Sequence, residues 1–474
     1  MKESLARTLG LRSTISLVVG GIIGSAIFMK PALMASQLGS AWLLVSVWIL
    51  AGGISFLGAV TNSEAAAMIP ETGGQYIFFQ HMYGDFIAFL YGWSAFAVFN
   101  TAGVASIAYV FSIYAEYFIH LPRLPKEAEH IVHLYFPGIG TIYPLENIGV
   151  KGLTIILVWA LTFVNYRSTQ MGDRVQILFS FLKVAAIIFL VVGIFVFGKG
   201  SFAHFNHPSP YSGWPLAFAI VAATSGAFWG YDGWNNITFV AGEIKNPQRT
   251  LPLGISIGLL ITIGIYILMS LAYIYVMPID AIAHSSFVGS DAASHAFGFG
   301  AGALIALMVI LSTFGCTNGN ILATARVTFA MARENRFFAS IGKIHPTFKT
   351  PGNALLLHAV WTTLLILSGS FDMLTDTLVF VSWLFYALGA AGVMVLRKKW
   401  PDVPRPYKTW GYPFAPLLFI FSACIFLVMT LFNDIKNYID GNTPLINSLF
   451  GLALTLLGIP FYFYFKKKNA DQSG

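Results

Sequence analysis

The sequence is short of charged residues and of cysteine. Only 10% of its 474 residues are Asp, Glu, Lys or Arg, whereas a soluble domain usually carries about 25%. This scarcity argues against a soluble fold, so the net charge of +7 is not interpreted as a nucleic-acid-binding surface. The two cysteines, Cys316 and Cys424, both fall in apolar runs, which predicts no disulfide framework.

Long apolar runs fill most of the chain. Hydrophobic residues make up 57% of it, and the mean hydropathy is +0.72. Runs of roughly 20 residues are long enough to cross about 30 Å of hydrocarbon. We predict an all-α integral membrane protein, a single domain over 1–474. It has about twelve spans, near 13–36, 41–66, 85–118, 150–166, 175–198, 215–241, 253–277, 299–330, 353–370, 373–396, 414–433 and 447–465.

The distribution of basic residues predicts the orientation. With the N-terminus in the cytoplasm, 19 of the 27 Lys and Arg residues fall on the cytoplasmic side. Six fall in the opposite loops and span ends, among them Lys30. Cytoplasmic loops carry an excess of Lys and Arg. We therefore expect a multi-pass protein of the plasma (inner) membrane with both termini cytoplasmic.

Two spans combine glycine with small or polar residues at mid-membrane depth. These are Val18–Phe28 in the first span and Ala227–Asn236 in the sixth. Interrupted segments at equivalent positions of two halves are typical of inverted-repeat transporters. This predicts a first five-helix repeat over 13–198, an inverted second repeat over 215–396, and two further helices over 414–465. For the first span alone, close helix packing explains the glycines equally well.

Unwound segments expose backbone groups that a ligand can satisfy. Half-helix N-termini carry partial positive charge and half-helix C-termini partial negative charge, so together they suit the carboxylate and ammonium of an amino acid. The predicted substrate-binding residues are Ile22, Ile23, Gly24, Ser25, Ala26, Ile27, Phe228, Trp229, Gly230, Asp232 and Gly233.

Asp232 and Trp229 each have two interpretations. A carboxylate inside a span is expensive, and Asp232 followed by Gly233 is best explained as a cap on a second half-helix. Direct contact with substrate is the alternative. Trp229, just before the break, is either a lid over the ligand, and hence a gating residue, or ordinary aromatic packing.

Polar residues in two other spans are candidates for a site that replaces a transported ion. Lys183 either snorkels to the interface or lies as a fixed cation inside the bundle, which favours transport without sodium. The eighth span places Thr313, Cys316 and Asn318 close together. Such residues also serve as interhelical hydrogen-bonding groups, but their density favours a functional role.

Charges at the membrane edge give weaker predictions. Glu64, Glu243 and Arg249 are candidate gating residues, although charges at such edges are usually only solvated. The outer loop holds irregularly spaced histidines, and metal ligands come in tighter sets. No metal and no cofactor is expected. Those histidines are His120, His130 and His133.

Several motifs in order resemble the L-amino acid transporter family of the amino acid–polyamine–organocation superfamily. They are Leu9–Leu11, Gly20–Phe28, Pro70–Tyr76, Tyr231–Pro252 and Asn318–Asn335. The resemblance implies the leucine-transporter fold, with broken first and sixth helices, and sodium-independent exchange of L-amino acids by alternating access. It also implies that Lys183 is the family's fifth-span lysine and that Trp229 takes the place of the gating aromatic residue.

Two departures from the family pattern refine this expectation. Ala26 replaces a glycine, which narrows the pocket towards small neutral substrates or shifts the loop. The outer loop has no cysteine, so we expect a prokaryotic-type exchanger without a disulfide-linked heavy chain.

The main functional hypothesis is a neutral L-amino acid exchanger that is not an enzyme. A proton-coupled or uniport permease for amino acids or polyamines is one alternative. A non-transporting amino acid sensor in the membrane is the other.

Overall fold

The computed structural model describes residues 7, 9–71, 73–167 and 184–473. Within them the chain is dominated by α-helices, with one small hairpin. Its first half contains α1 Leu11–Ile22, α2 Ala26–Leu38, α3 Ala41–Met68, α4 Gln75–Tyr83, α5 Asp85–Ser94, a π-helical turn Ala95–Phe99, α6 Asn100–Ala115, α7 Lys126–Glu129, β1 Leu134–Phe136, β2 Gly140–Ile142 and α8 Ile148–Arg167.

The second half is also helical, and it includes two 3₁₀ segments. Its elements are α9 Val184–Phe197, the 3₁₀ turn Phe202–Phe205, α10 Gly213–Tyr231, the 3₁₀ helix Asn236–Glu243, α11 Pro247–Val276, α12 Ile279–Ala283, α13 Val288–Phe297, α14 Phe299–Arg333, α15 Gly352–Ser368, α16 Phe371–Lys399, α17 Phe414–Ile439, α18 Asn447–Leu456 and α19 Gly458–Ser473.

The helices agree with the predicted spans. Eight of the described helical stretches are long and apolar enough to cross a membrane, and the bent pair α1 and α2 makes a ninth. Two shorter apolar helices, α9 and α15, coincide with the fifth and ninth predicted spans, and α10 coincides with the sixth. The all-α membrane fold with broken first and sixth helices is confirmed. Its division into inverted repeats stays a prediction.

The chain divides into two compact units, each built from three segments. The first unit comprises Met1–Tyr91, Ser201–His284 and Ser382–Met429. In it, α11 packs along α1 and α3, and α10 packs along α2 and α3. Small residues permit close approach in such contacts. A Cβ added at Gly52 of α3, for instance, lies 2.8 Å from the side chain of Ile263.

The second unit comprises Gly92–Gly200, Ser285–Val381 and Thr430–Gly474. In it, α14 packs against α6, α8, α13 and α15. The excursion between α6 and α8 holds the hairpin, in which β1 and β2 are antiparallel with Tyr135 opposite Thr141. All three residues of β1 are exposed.

The segment before α1 is attached to the chain that follows the sixth span. The Leu9 amide donates to the Glu243 carbonyl at 3.0 Å, and the Lys245 amide donates to the Leu9 carbonyl at 2.8 Å. These two bonds form an isolated parallel bridge between Leu9 and Ile244. The beginning of α1 is therefore fixed beside the end of the 3₁₀ helix.

Candidate functional site

The first break lies where the glycines predicted it. Helix α1 ends at Ile22, Ile23 is extended with ψ of 103°, and α2 begins at Ala26 at an angle of 45° to α1. Ser25 is 4% exposed, and its hydroxyl oxygen has no hydrogen-bond partner among the described residues. The first amides of α2 are the donors that every helix N-terminus leaves without an intrahelical partner.

The second break follows Tyr231. The Asp232 amide donates to the Trp229 carbonyl at 3.2 Å, a three-residue spacing that ends the α-helical pattern. Asp232 is then extended with ψ of 151°, and Gly233 has a φ of +102°. The chain continues as the 3₁₀ helix Asn236–Glu243, a tighter form than the expected half-helix. Short 3₁₀ segments are common as connectors, and β-branched residues such as Thr238 lower α-helix propensity.

The two breaks lie against each other in the first unit. A Cβ added at Gly233 lies 3.0 Å from the carbonyl oxygen of Gly21 in the last turn of α1. A Cβ added at Gly230 lies 3.5 Å from the methyl group of Ala26. Glycine is therefore required at 233 for its positive φ and for this close approach. The structure brings the first-span and sixth-span candidate residues together.

Two tyrosines that sequence analysis missed donate hydrogen bonds to backbone carbonyl groups near the breaks. The Tyr266 hydroxyl donates to the Ile22 carbonyl at 3.1 Å, and the Tyr231 hydroxyl donates to the Trp48 carbonyl at 3.0 Å. Both rings pack edge-on against Trp48. One lone pair of the carbonyl of Ile22, a predicted substrate-binding residue, is thus used by the protein. A tyrosine inside the apolar seventh span was the available signal.

The prediction that Asp232 caps the second half-helix is wrong. The 3₁₀ helix has Asn235 at its N-cap, and no side chain caps it. Asp232 instead accepts a hydrogen bond from the Tyr386 hydroxyl at 2.7 Å and one from the backbone amide of Gly233. The extended conformation of Asp232 places its carboxylate beside α16 rather than over the 3₁₀ helix. Tyr386 is a further residue that the sequence analysis missed.

Three buried amide side chains form an amide ladder behind the second break: Asn62, Asn235 and Gln75. Asn62 donates to Asn235, and Asn235 donates to Gln75. Buried amides that are hydrogen-bonded in series fix the elements that carry them. The ladder therefore fixes the start of the 3₁₀ helix to α3 and α4. Gln75 and Asn235 stand in the quoted motifs and Asn62 does not, and each pairing spans more than a hundred positions.

The two aromatic residues before the second break, Phe228 and Trp229, have different surroundings. Phe228 stacks on Trp383 with ring centroids 3.6 Å apart and meets Phe426 edge-on, so its side chain belongs to an aromatic core. Trp229 is 9% exposed, and the Lys30 ammonium lies 5.8 Å from its ring centroid. The lid role of Trp229 stays a prediction.

The candidate residues of the eighth span all lie on α14 in the second unit. The Thr313 hydroxyl donates within its own helix to Val309 and Ile310. Asn318 accepts from the amide of Asn165 on α8 at 2.8 Å, an interhelical bond of the packing kind. Cys316 is half-buried. Their substrate roles stay predictions, and Lys183 lies outside the described residues.

The expectation of solvated edge charges is wrong for Glu64. Its side chain is 1% exposed and accepts from Arg397 Nε and Nη2 at 2.8 and 2.7 Å. The amide and hydroxyl of Thr409 donate to the same carboxylate at 2.7 and 2.8 Å. The Arg397 guanidinium also lies 3.5 Å from the ring centroid of Tyr412. Glu64 thus fixes the segment after α16 to α3, because a buried carboxylate requires partners.

The other edge residues are less enclosed. Glu243 is half-buried and Arg249 is exposed, and their gating roles stay predictions. The outer-loop histidines are also exposed. They are His120, His130 and His133.

The site geometry suits recognition of a zwitterion by peptide groups. The amides at the start of α2 carry partial positive charge, and the carbonyls at the ends of α1 and α10 carry partial negative charge. Ser25 adds a buried hydroxyl group between them. No group of three His, Cys, Asp or Glu side chains in the described ranges is arranged to hold a metal ion.

Comparison with known proteins gives the family. Residues 9–456 match the amino acid permease family. The chain is 30% identical over 473 residues to the serine/threonine exchanger SteT of Bacillus subtilis, covering 99% of each protein. It is 30% identical over 470 residues to the human large neutral amino acids transporter small subunit 2, covering 97% of this chain and 80% of that protein. It is 29% identical over 473 residues to the human cystine/glutamate transporter, covering 98% and 86%.

These matches extend over both breaks and over nearly every described helix. They agree with the resemblance inferred from the motifs. The chain therefore belongs to the amino acid permease family of the amino acid–polyamine–organocation superfamily and is a multi-pass membrane protein.

Proposed function

We propose that this chain exchanges small neutral L-amino acids across the plasma membrane without sodium, with both termini in the cytoplasm. The contact between the two breaks, where Gly233 meets Gly21, carries the proposal. Beside it Gly230, in the last turn of α10, lies against Ala26, the first residue of α2, so that half-helix ends of opposite polarity come together in one place. A zwitterion needs both polarities at once, and binding by peptide dipoles leaves its covalent structure unchanged, so we propose transport without catalysis.

The substrate class follows from Ala26 and from the relatives. The Ala26 methyl group lies over the Gly230 backbone, which takes space beside the break. A smaller pocket favours small side chains. The relatives are named for exchange of serine and threonine, for transport of large neutral amino acids, and for cystine and glutamate. Exchange is the activity named for the bacterial relative.

Two further parts of the proposal concern the mechanism and the partners. Alternating access between the inverted repeats 13–198 and 215–396 follows the expectation for broken-helix transporters. The proposal that transport needs no sodium rests on the sequence alone, in which Lys183 is interpreted as a fixed cation inside the bundle. We also propose that no disulfide-linked subunit is needed, because Cys316 and Cys424 lie within α14 and α17.

Counterflow in proteoliposomes tests the proposal. Vesicles loaded with unlabelled serine, alanine or leucine, in potassium or choline buffer without a pH gradient, are expected to accumulate labelled serine. Empty vesicles are expected to accumulate far less. Uptake that needs sodium would contradict the ion independence. Uptake that needs a pH gradient, or that ignores the internal amino acid, would favour the proton-coupled or uniport permease instead.

A further inference from the structure

Lys30 is a charged residue buried inside the first span. It was counted among loop and span-end residues, but the structure places it in α2 with 1% of its surface exposed. Its aliphatic stem crosses Gly226 of α10, where an added Cβ lies 3.4 Å from Lys30 Cδ. An ionisable group at such a position is costly and marks a functional site by default.

The ammonium of Lys30 lies beside the last turn of α10 before the second break, and the helix that carries Lys30 begins at the first break. Lys30 is one helical turn beyond Ala26, about 6 Å along the axis of α2. Side chains of a helix lean back towards its N-terminus, so the long Lys30 side chain reaches towards the break. On α10, the ammonium lies 5.8 Å from the Trp229 ring centroid. Trp229 is in the last turn before the second break.

The small residues of α10 create this position. Gly226 and Gly230 stand four residues apart and therefore on one face of the helix. Gly226 leaves room for the Lys30 stem, and Gly230 leaves room for the Trp48 ring, with the Ala26 methyl group in ordinary contact beside it. The cation is thus held at the helix–helix contact that leads to the breaks.

A fixed positive charge at this depth discriminates between substrates by charge. Coulomb interactions in a weakly polarisable interior are stronger and less screened than in water. A neutral side chain in the site meets no repulsion from Lys30. A side chain that ends in a second ammonium or a guanidinium does, and like-charge repulsion is a recognised means of rejecting a wrong partner.

We infer that Lys30 is a specificity-determining residue that excludes amino acids with cationic side chains, and diamines, from the site. This inference rests on the proposed function and narrows its substrate class. It also argues against the polyamine carrier that the sequence left open. The contact of Lys30 with Trp229 is consistent with a charge placed at the edge of the bound ligand.

A matched pair of ligands tests the inference on the unaltered protein. Homoserine and 2,4-diaminobutyrate have side chains of the same length and differ in a terminal hydroxyl against a terminal ammonium. In serine counterflow at neutral pH, homoserine is expected to inhibit at a concentration at least tenfold lower. Equal inhibition by the two ligands would overturn the inference and leave the proposed function intact. Absence of serine counterflow would instead refute the proposed function.

Variants of Lys30 separate charge from packing. Lys30→Met keeps the length and removes the charge, and we expect it to shrink the inhibition ratio at least fivefold. Lys30→Arg keeps the charge and should keep the ratio. Lys199→Met, at an exposed position, controls for the loss of one lysine. An unchanged ratio in Lys30→Met would show that Lys30 only packs α2 against α10. If Lys30→Met does not fold, equal inhibition by the two ligands on the unaltered protein would still overturn the inference.

Discussion

Gly233→Ala is expected to slow transport by much more than its loss of folded protein explains. Gly233 has a φ of +102°, and an added Cβ lies 3.0 Å from the Gly21 carbonyl oxygen. Residues held in sparsely populated backbone regions cost about 1–3 kcal/mol each. The contact further requires Gly21, at the end of α1, to move by a few tenths of an ångström. That shift separates the two breaks whose dipoles are proposed to hold the substrate.

Gly298→Ala is the matched control. Gly298 has a φ of +93°, and beyond its chain neighbours no described atom lies within 4 Å of an added Cβ. Both variants therefore lose backbone stability, and both melting temperatures in detergent should fall by a few degrees. Per folded molecule, Gly298→Ala should exchange serine at the original rate. Gly233→Ala should be at least about tenfold slower, which corresponds to about 1.4 kcal/mol in the barrier.

Equal counterflow rates for the two variants, after correction for folded protein, would refute the reasoning. Such a result would mean that Gly233 matters for its backbone conformation alone. The apposition of the two breaks would then have no part in transport.

The remaining predictions concern groups that surround the breaks. Glu64→Gln removes one partner of a buried ion pair and should lower the free energy of unfolding by about 3–5 kcal/mol, which would be seen as a large drop in melting temperature. As the control, Glu116→Gln in an exposed pair should lower it by at most about 1 kcal/mol. Tyr386→Phe removes the side-chain donor to the buried Asp232 carboxylate, which keeps only the Gly233 amide that the structure records beside it, and should cost about 1–3 kcal/mol; an unchanged melting temperature would contradict this. Asn62→Ala interrupts the amide ladder and should lower the exchange rate more than it lowers the affinity for substrate. If Asn62→Gln lowers the exchange rate as much as Asn62→Ala does, that result would argue against a hydrogen-bonding role for Asn62.

The positions of the breaks were predictable because they depend on local chemistry. A run such as Gly20–Ser25 in an apolar span and an Asp-Gly pair at 232–233 weaken helical propensity wherever they occur. Both helices end within a residue or two of these motifs. The same local rules gave the lengths of the spans, since each depends only on a continuous apolar run.

The supporting contacts were not predictable from one sequence. Tyr266 and Ile22 are 244 positions apart, and Glu64 and Arg397 are 333 apart. No periodicity or propensity encodes such pairs. The assumption that Asp232 caps the next helix failed for a related reason, because a tertiary partner, Tyr386, was available to its carboxylate. Lys30 was assigned to a span end only because it is charged. The sequence gives no sign that Gly226 of another helix leaves space for its side chain.

The attachment of Leu9 has a consequence for how α1, the first half of the broken first span, can move. Helix α1 is a rod of 12 residues, about 18 Å long, fastened near its start through Leu9 and at its far end through Ile22. Both fasteners belong to chain that follows the sixth break. Helix α1 is therefore held at both ends by the chain beyond the sixth break, so α1 can change its tilt only if that chain moves with it or if these hydrogen bonds break.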